Sequence, residues 1–125
     1  MIVNNKKESS MIIKPKDMKT EEVPHLRGGD GTVIKTYMAP AQPDMHLRLL
    51  GRFTLRKGCS IGKHVHDGEV EYYCILAGQG VVTEDTREST VNPGDVVVTG
   101  WGQSHSIRND RDEDLEFIAV INTEK

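Results

Sequence analysis

The chain has no apolar run near the roughly 20 residues that a membrane-spanning helix needs, which argues against a helical membrane protein. Its first ten residues, MIVNNKKESS, hold no apolar core of the kind a secretory signal carries, so no export is expected. There are only two cysteines, Cys59 and Cys74, and they form no Cys-x-x-Cys pair. That excludes a thiolate zinc site of the usual spacing and predicts reduced thiols in a cytoplasmic protein. Charge of one sign is also missing: the formal net charge is -3, with acids and bases mixed along the chain. Without a basic face no nucleic-acid partner is expected. Gly28-Gly29-Asp30-Gly31 lacks the lysine and hydroxyl residue of a phosphate loop, and no helix pattern follows it, so it reads as a plain loop. No internal repeat and no low-complexity tract is present.

What remains is a chain of 125 residues, 36% apolar and 28% charged, which fits one soluble globular domain. Its pattern is that of short strands. Thr32 to Met38 reads as a strand. His46 to Leu55 alternates cleanly, with Leu47, Leu49, Phe53 and Leu55 on one face and His46, Arg48, Leu50 and Arg52 on the other. Further strands are predicted at Glu71–Leu76, from Val81 to Thr83, at Val96–Thr99, Ser104–Arg108 and Leu115–Asn122. Val96-Val97-Val98-Thr99 does not alternate, so it is expected to be buried on both faces. Asn92-Pro93-Gly94-Asp95 carries the Pro-Gly pair of a type II turn. Met11-Ile12-Ile13 is a further strand candidate, stopped by Pro15. No convincing helix appears. Eight to ten short strands with Gly and Pro turns predict an all-β antiparallel sandwich or barrel. A double-sheet jelly roll would leave a cavity between its sheets. The expected organisation is a flexible N-terminal segment over residues 1–20, which includes the short strand, and a β-barrel over 21–125.

The stretch from Gly58 to Gly78, GCSIGKHVHDGEVEYYCILAG, carries the chemistry. Residues two apart in a strand share a face, so His64 and His66 point the same way. Reversal at Asp67-Gly68 would lay Glu71 beside them. Two imidazoles and a carboxylate on one face make a metal site.

With these positions set out, the chain resembles a cupin in both halves. The first cupin motif runs Gly, five residues, His-x-His, three or four residues, Glu, six residues, Gly. Gly58, His64, His66, Glu71 and Gly78 fall on each of its positions. The second runs Gly, five residues, Pro-x-Gly, two residues, His, three residues, Asn, and is met by Gly94, Gly102, His105 and Asn109. Gly100 stands where the motif has proline, the one departure. The resemblance implies the double-stranded β-helix, or jelly-roll barrel. It also implies one divalent transition metal ion per chain, bound by His64, His66, Glu71 and His105. Imidazole and carboxylate ligands suit Fe, Mn, Ni, Co or Zn. Four protein ligands on an octahedral ion leave two positions for a small-molecule ligand or substrate.

Three activities follow from such a site: a dioxygenase-type oxidation of a small organic substrate, a sugar or sugar-phosphate isomerisation, or simple binding of a small ligand. Tyr73 shares parity with Glu71 and is the candidate catalytic residue, as a hydroxyl that orients a ligand or donates a proton. Glu69 is an alternative to Glu71 as ligand and a further acid/base candidate. Arg48 is a candidate for attracting an anion, His46 for the cavity rim, and Trp101 for a cover or plug of the barrel. Cys74, of opposite parity to Glu71, is expected to be a packed thiol. By the same resemblance the protein is expected to be a homodimer that exchanges N-terminal segments.

Overall fold

The computed structural model describes residues 11–125. Ten strands make up most of it: β1 (Lys19–Pro24), β2 (Thr32–Tyr37), β3 (Leu47–Leu55), β4 (Ser60–His66), β5 (Glu69–Ala77), β6 (Gly80–Glu84), β7 (Arg87–Val91), β8 (Val96–Gly100), β9 (Gln103–Arg108) and β10 (Leu115–Thr123). Three short 3-10 turns at Pro15–Asp17, Leu26–Gly28 and Pro43–Met45 are the only helical pieces among the described residues. One sheet has six strands in the order β1-β2-β3-β10-β5-β8, and the other has four in the order β4-β9-β6-β7. Every pairing is antiparallel. Two antiparallel sheets facing one another make the expected jelly roll.

The alternation of β3 decides which side faces in. Phe53 and Leu55 are buried, while Arg48 and Arg52 are exposed. Phe53 stacks on Phe117 of β10 with ring centroids 5.5 Å apart, and Phe117 packs on Tyr73 of β5 at 4.5 Å. Leu55, Leu115, Ile75, Val82 and Ile107 fill the rest of the space between the sheets. Each such side chain contributes about 1.5–3 kcal/mol by leaving water.

Two residues that the second motif contains have structural jobs. Asn109 is fully buried. Its Nδ2 donates to the carbonyls of Leu55 and Glu113, each at 2.8 Å, and its Oδ1 accepts from the N–H of Arg111 at 2.8 Å. It ties the turn before β10 to the end of β3. Gly100 sits against β5: a Cβ there would lie 2.8 Å from Val70 Cγ2 and 2.9 Å from the Glu69 carbonyl oxygen. The missing proline is thus explained by the closeness of β5, which leaves no room for a ring.

Several expectations are corrected. Met11–Ile13 is not a strand; the chain there leads into the turn at Pro15–Asp17, and Ile12 is 79% exposed. β1, for which no strand is predicted, forms because Lys19–Pro24 pairs with β2 from Lys19↔Tyr37 to Pro24↔Thr32. β7, from Arg87 to Val91, is a strand that the sequence does not announce, since its polar residues hide the alternation. β8 is not buried on both faces: it is an edge strand, with Val97 and Thr99 inside and Val96 and Val98 exposed. Cys74 faces outward and is half-buried, whereas Cys59 is buried; both are free thiols. Residues 1–10 of the N-terminal segment lie outside the described residues.

Candidate metal centre

β4 and β5 supply three of the four polar groups that meet between the sheets, and β9 supplies the fourth. His64 and His105 stand opposite one another in the β4–β9 ladder. His66, two residues along β4, points the same way, and Glu71 enters from the facing sheet. His66, Glu71 and His105 are buried. The ligand atoms of all four residues lie within 4.8 Å of one another. His105 Nε2 is 3.0 Å from His64 Nε2, 3.0 Å from His66 Nε2 and 2.9 Å from Glu71 Oε1. His66 Nε2 is 2.8 Å from the same carboxylate oxygen.

The outward-facing nitrogens decide what this cluster can do. Nδ1 of His64 meets the Gly62 carbonyl oxygen at 2.7 Å, and Nδ1 of His66 meets the Glu69 carboxylate. Both partners only accept hydrogen bonds, so in the neutral rings the proton sits on Nδ1 and the Nε2 lone pair faces inward. His105 Nδ1 bonds Thr99 Oγ1 at 2.8 Å, which leaves its Nε2 inward as well. When Thr99 accepts from His105 Nδ1 as well, three imidazole lone pairs and a carboxylate face one point. Such a set repels itself and suits a divalent cation. The residues therefore fit the ion that the sequence implies.

In the metal-free cluster an imidazole Nε2–H can instead donate to Glu71, and that contact sets the electrostatics. Burial would raise the Glu71 carboxyl, but the imidazoles of His105, His64 and His66 hold it well below the usual carboxylate range. Burial lowers His105. His66 is lowered by burial but raised overall by its bonds to Glu71 and Glu69.

Around the cluster the sequence candidates separate. Tyr73 is buried, and its ring stacks on His105 with centroids 4.8 Å apart. Burial and the adjacent Glu71 carboxylate push its phenol well above its ordinary value, so it stays protonated. Glu69 is not in the cluster; it grips His66 from behind. Arg48 in turn holds Glu69, with Nε–Oε1 3.0 Å and Nη2–Oε2 2.9 Å. The β3–β10 register slips beside Arg48, where Ile121↔Leu49 is followed by Asn122↔Leu47. The Arg48–Glu69 pair thus lies where that ladder is irregular. His46 is exposed at the end of a 3-10 turn and takes no part. Trp101, 75% exposed in the turn between β8 and β9, neither covers the cavity nor plugs the barrel.

Lys35 and Arg27 escaped the sequence reading. With Arg48, Leu26, Phe53 and Tyr73 they line the cavity of about 100 Å³ that opens onto His64, His66 and Glu71. Only the inward parity of Lys35 beside Val33 could have signalled it. A larger hollow of about 420 Å³ between Ile13, Tyr37 and Pro40 holds none of the clustered ligands, so the chemistry belongs to the smaller one.

A jelly roll carrying three histidines and a glutamate at these positions defines a class, and sequence comparison agrees: the cupin domain family model matches residues 51–121, and the chain belongs to that family. It is 38% identical over 118 residues to an oxalate-binding protein of Thermotoga maritima, covering 93% of this chain and 97% of that one. It is also similar to the crystal structure of a predicted oxalate decarboxylase from Thermotoga maritima, with a TM-score of 0.85 and 37% identity over 90% of this chain and 99% of the other. KdgF from Halomonas sp. shares the fold at a TM-score of 0.75 with 14% identity, covering 94% and 96% of the two chains.

Proposed function

We propose that this cupin holds one divalent transition metal ion through His64, His66, Glu71 and His105, and binds there a small carboxylate ligand of the oxalate class. The observation that carries the reading is the inward convergence of the histidine Nε2 atoms on Glu71, with each Nδ1 engaged outside. The similarity to an oxalate-binding protein supports the ligand class. When bound, the ion supplies a Lewis-acid centre with positions open to oxygen donors.

The chain's own residues do the rest. Glu69 orients His66, Thr99 orients His105, and the Gly62 carbonyl orients His64. Tyr73, protonated and packed on His105, holds Glu71 in place. The cavity is below the roughly 300 Å³ at which drug-sized ligand pockets begin, so it selects a ligand of a few atoms. That favours a short acid over a sugar phosphate. Turnover of the bound acid, by oxidation or by loss of carbon dioxide, is the second reading, supported by the similarity to a predicted oxalate decarboxylase.

Elemental analysis of untagged protein, followed by calorimetric titration with oxalate, tests the proposal. About one iron, manganese, cobalt, nickel or zinc per chain, and oxalate binding that disappears in His64→Ala/His105→Ala, are the expected results. Metal-free protein that cannot be loaded, or loaded protein that ignores oxalate, overturns it. Carbon dioxide release and oxygen uptake with oxalate separate turnover from binding.

A further inference from the structure

We propose that Lys35 and Arg27 form an anion subsite beside the metal centre and that the ligand is a dianion, a short dicarboxylate whose second charge these two cations meet. The inference rests on the metal-and-carboxylate reading above and names the residues that set its charge selectivity.

Lys35 sits on β2 between Val33 and Tyr37 on the inward side, opposite Phe53 of β3. That is an unusual place for a lysine, which normally keeps its ammonium in water. Its Nζ lies over the rings of Tyr37 and Phe53, 4.7 and 5.8 Å from their centroids. Its cross-strand neighbour Glu21 engages the Tyr37 hydroxyl. Arg27 reaches the same cavity from the turn Leu26–Gly28, with its backbone in the left-handed region at φ 56. A close backbone contact pins that turn to β4. A Cβ on Gly62 would fall 2.1 Å from the Arg27 carbonyl oxygen, and one on Gly29 would fall 2.1 Å from the Ser60 carbonyl oxygen.

Among the described residues, Lys35 and Arg27 have no side-chain ion pair, while other cations on this protein do. Arg48 is held by Glu69, Arg52 by Glu116, Arg108 by Glu88 and Asp110, and Lys57 by Asp112. Two cations without a carboxylate ion pair among the described residues therefore line a cavity whose floor is the metal cluster. With a divalent ion in place, and with Glu71, Lys35, Arg27 and the neighbouring Glu21 ionised, the surroundings carry two net positive charges. A dianion cancels them; a monoanion leaves one.

The test compares oxalate with glycolate on zinc-loaded full-length protein by calorimetry. Both ligands can chelate a metal through two oxygens, but only oxalate carries two charges. In Lys35→Gln and in Arg27→Gln the oxalate Kd is expected to rise about tenfold or more, the loss of one charged hydrogen bond. Glycolate should change by less than about threefold, Lys35→Arg should keep most of the oxalate affinity, and Lys57→Gln should change neither. Zinc stoichiometry and circular dichroism check that each variant is folded and loaded. If Lys35→Gln fails that check, the exposed Arg27→Gln carries the comparison. Equal weakening of both ligands, or unchanged oxalate binding in variants that hold zinc, overturns the subsite and leaves the proposed function standing. Wild-type protein that holds zinc but binds neither ligand overturns both.

Discussion

Arg48 grips Glu69 through two parallel hydrogen bonds of 3.0 and 2.9 Å, and Glu69 passes that constraint to His66 Nδ1. A carboxylate behind a metal-binding imidazole fixes its tautomer and its direction. Glu69→Gln is expected to weaken metal affinity about 10–100-fold while leaving the fold intact. Arg48→Met should have a smaller effect in the same direction. Competition with a chromophoric chelator measures both. Unchanged affinity in Glu69→Gln would show that His66 needs no support.

Removing a ligand has a larger effect than removing its support. In His105→Ala the stoichiometry of bound metal should fall close to zero. Added metal should raise the thermal midpoint of wild-type protein but not of the variant, because an ion that binds only the folded state adds about 2.7 kcal/mol at 100 times its Kd. Thermal melts with and without metal decide it. An equal upward shift in both proteins would place the ion elsewhere.

Acid should act on the metal-free protein through Glu71. Its carboxyl is held below the usual range by the imidazoles of His105, His64 and His66 against the opposing effect of burial. A depressed folded value means that the contribution to stability is complete above the unfolded value of about 4.3 and is lost as pH falls through the folded one. The thermal midpoint should therefore begin to drop below about pH 5 and keep dropping below about pH 3, and Glu71→Gln should flatten that drop. A variant as acid-sensitive as the wild type would assign the drop to other carboxyls.

Close backbone contacts make three glycines intolerant. Gly29→Ala and Gly62→Ala each put a methyl 2.1 Å from a carbonyl oxygen, so the turn carrying Arg27 must lift from β4. Each is expected to destabilise the protein by about 2 kcal/mol or more. Gly100→Pro, which restores the motif, should also destabilise it, because its Cβ would lie 2.8 Å from Val70 Cγ2 and 2.9 Å from the Glu69 carbonyl oxygen of β5. Denaturant unfolding checks all three, and a neutral Gly100→Pro would mean that β5 can yield.

The outer face of the six-stranded sheet is the expected dimer surface. Leu50, Tyr72, Ile118, Val120, Val96 and Val98 lie there partly or largely uncovered, and its charges Arg52 and Glu116 pair with each other. An apolar patch of this kind fits a second copy of this chain. Sedimentation at micromolar concentration should give a dimer for the wild type and a monomer for Val120→Glu. A monomeric wild type would remove the expectation.

The strands from β2 to β10 were mostly legible because a half-buried strand must alternate, and β3 and β10 do. The four clustered residues were legible because strand parity and motif spacing are local properties. Tertiary structure decided what depends on neighbours distant in the chain. β1 carried no strand signal because a strand at the sheet edge needs little apolar surface, and β8 looked doubly buried because composition cannot show which face a partner covers. The role of Glu69 came from its contacts with Arg48 on another strand and with His66. Lys35 and Arg27 stand eight residues apart in sequence and far from His64. Only the packing of the turn at Leu26–Gly28 on β4, through Gly29 and Gly62, brings their charges to one cavity. Periodicity along the chain specifies which side chains share a face. The meeting of charges from different strands is set by registers and close contacts, and these exist only once the sheets have closed.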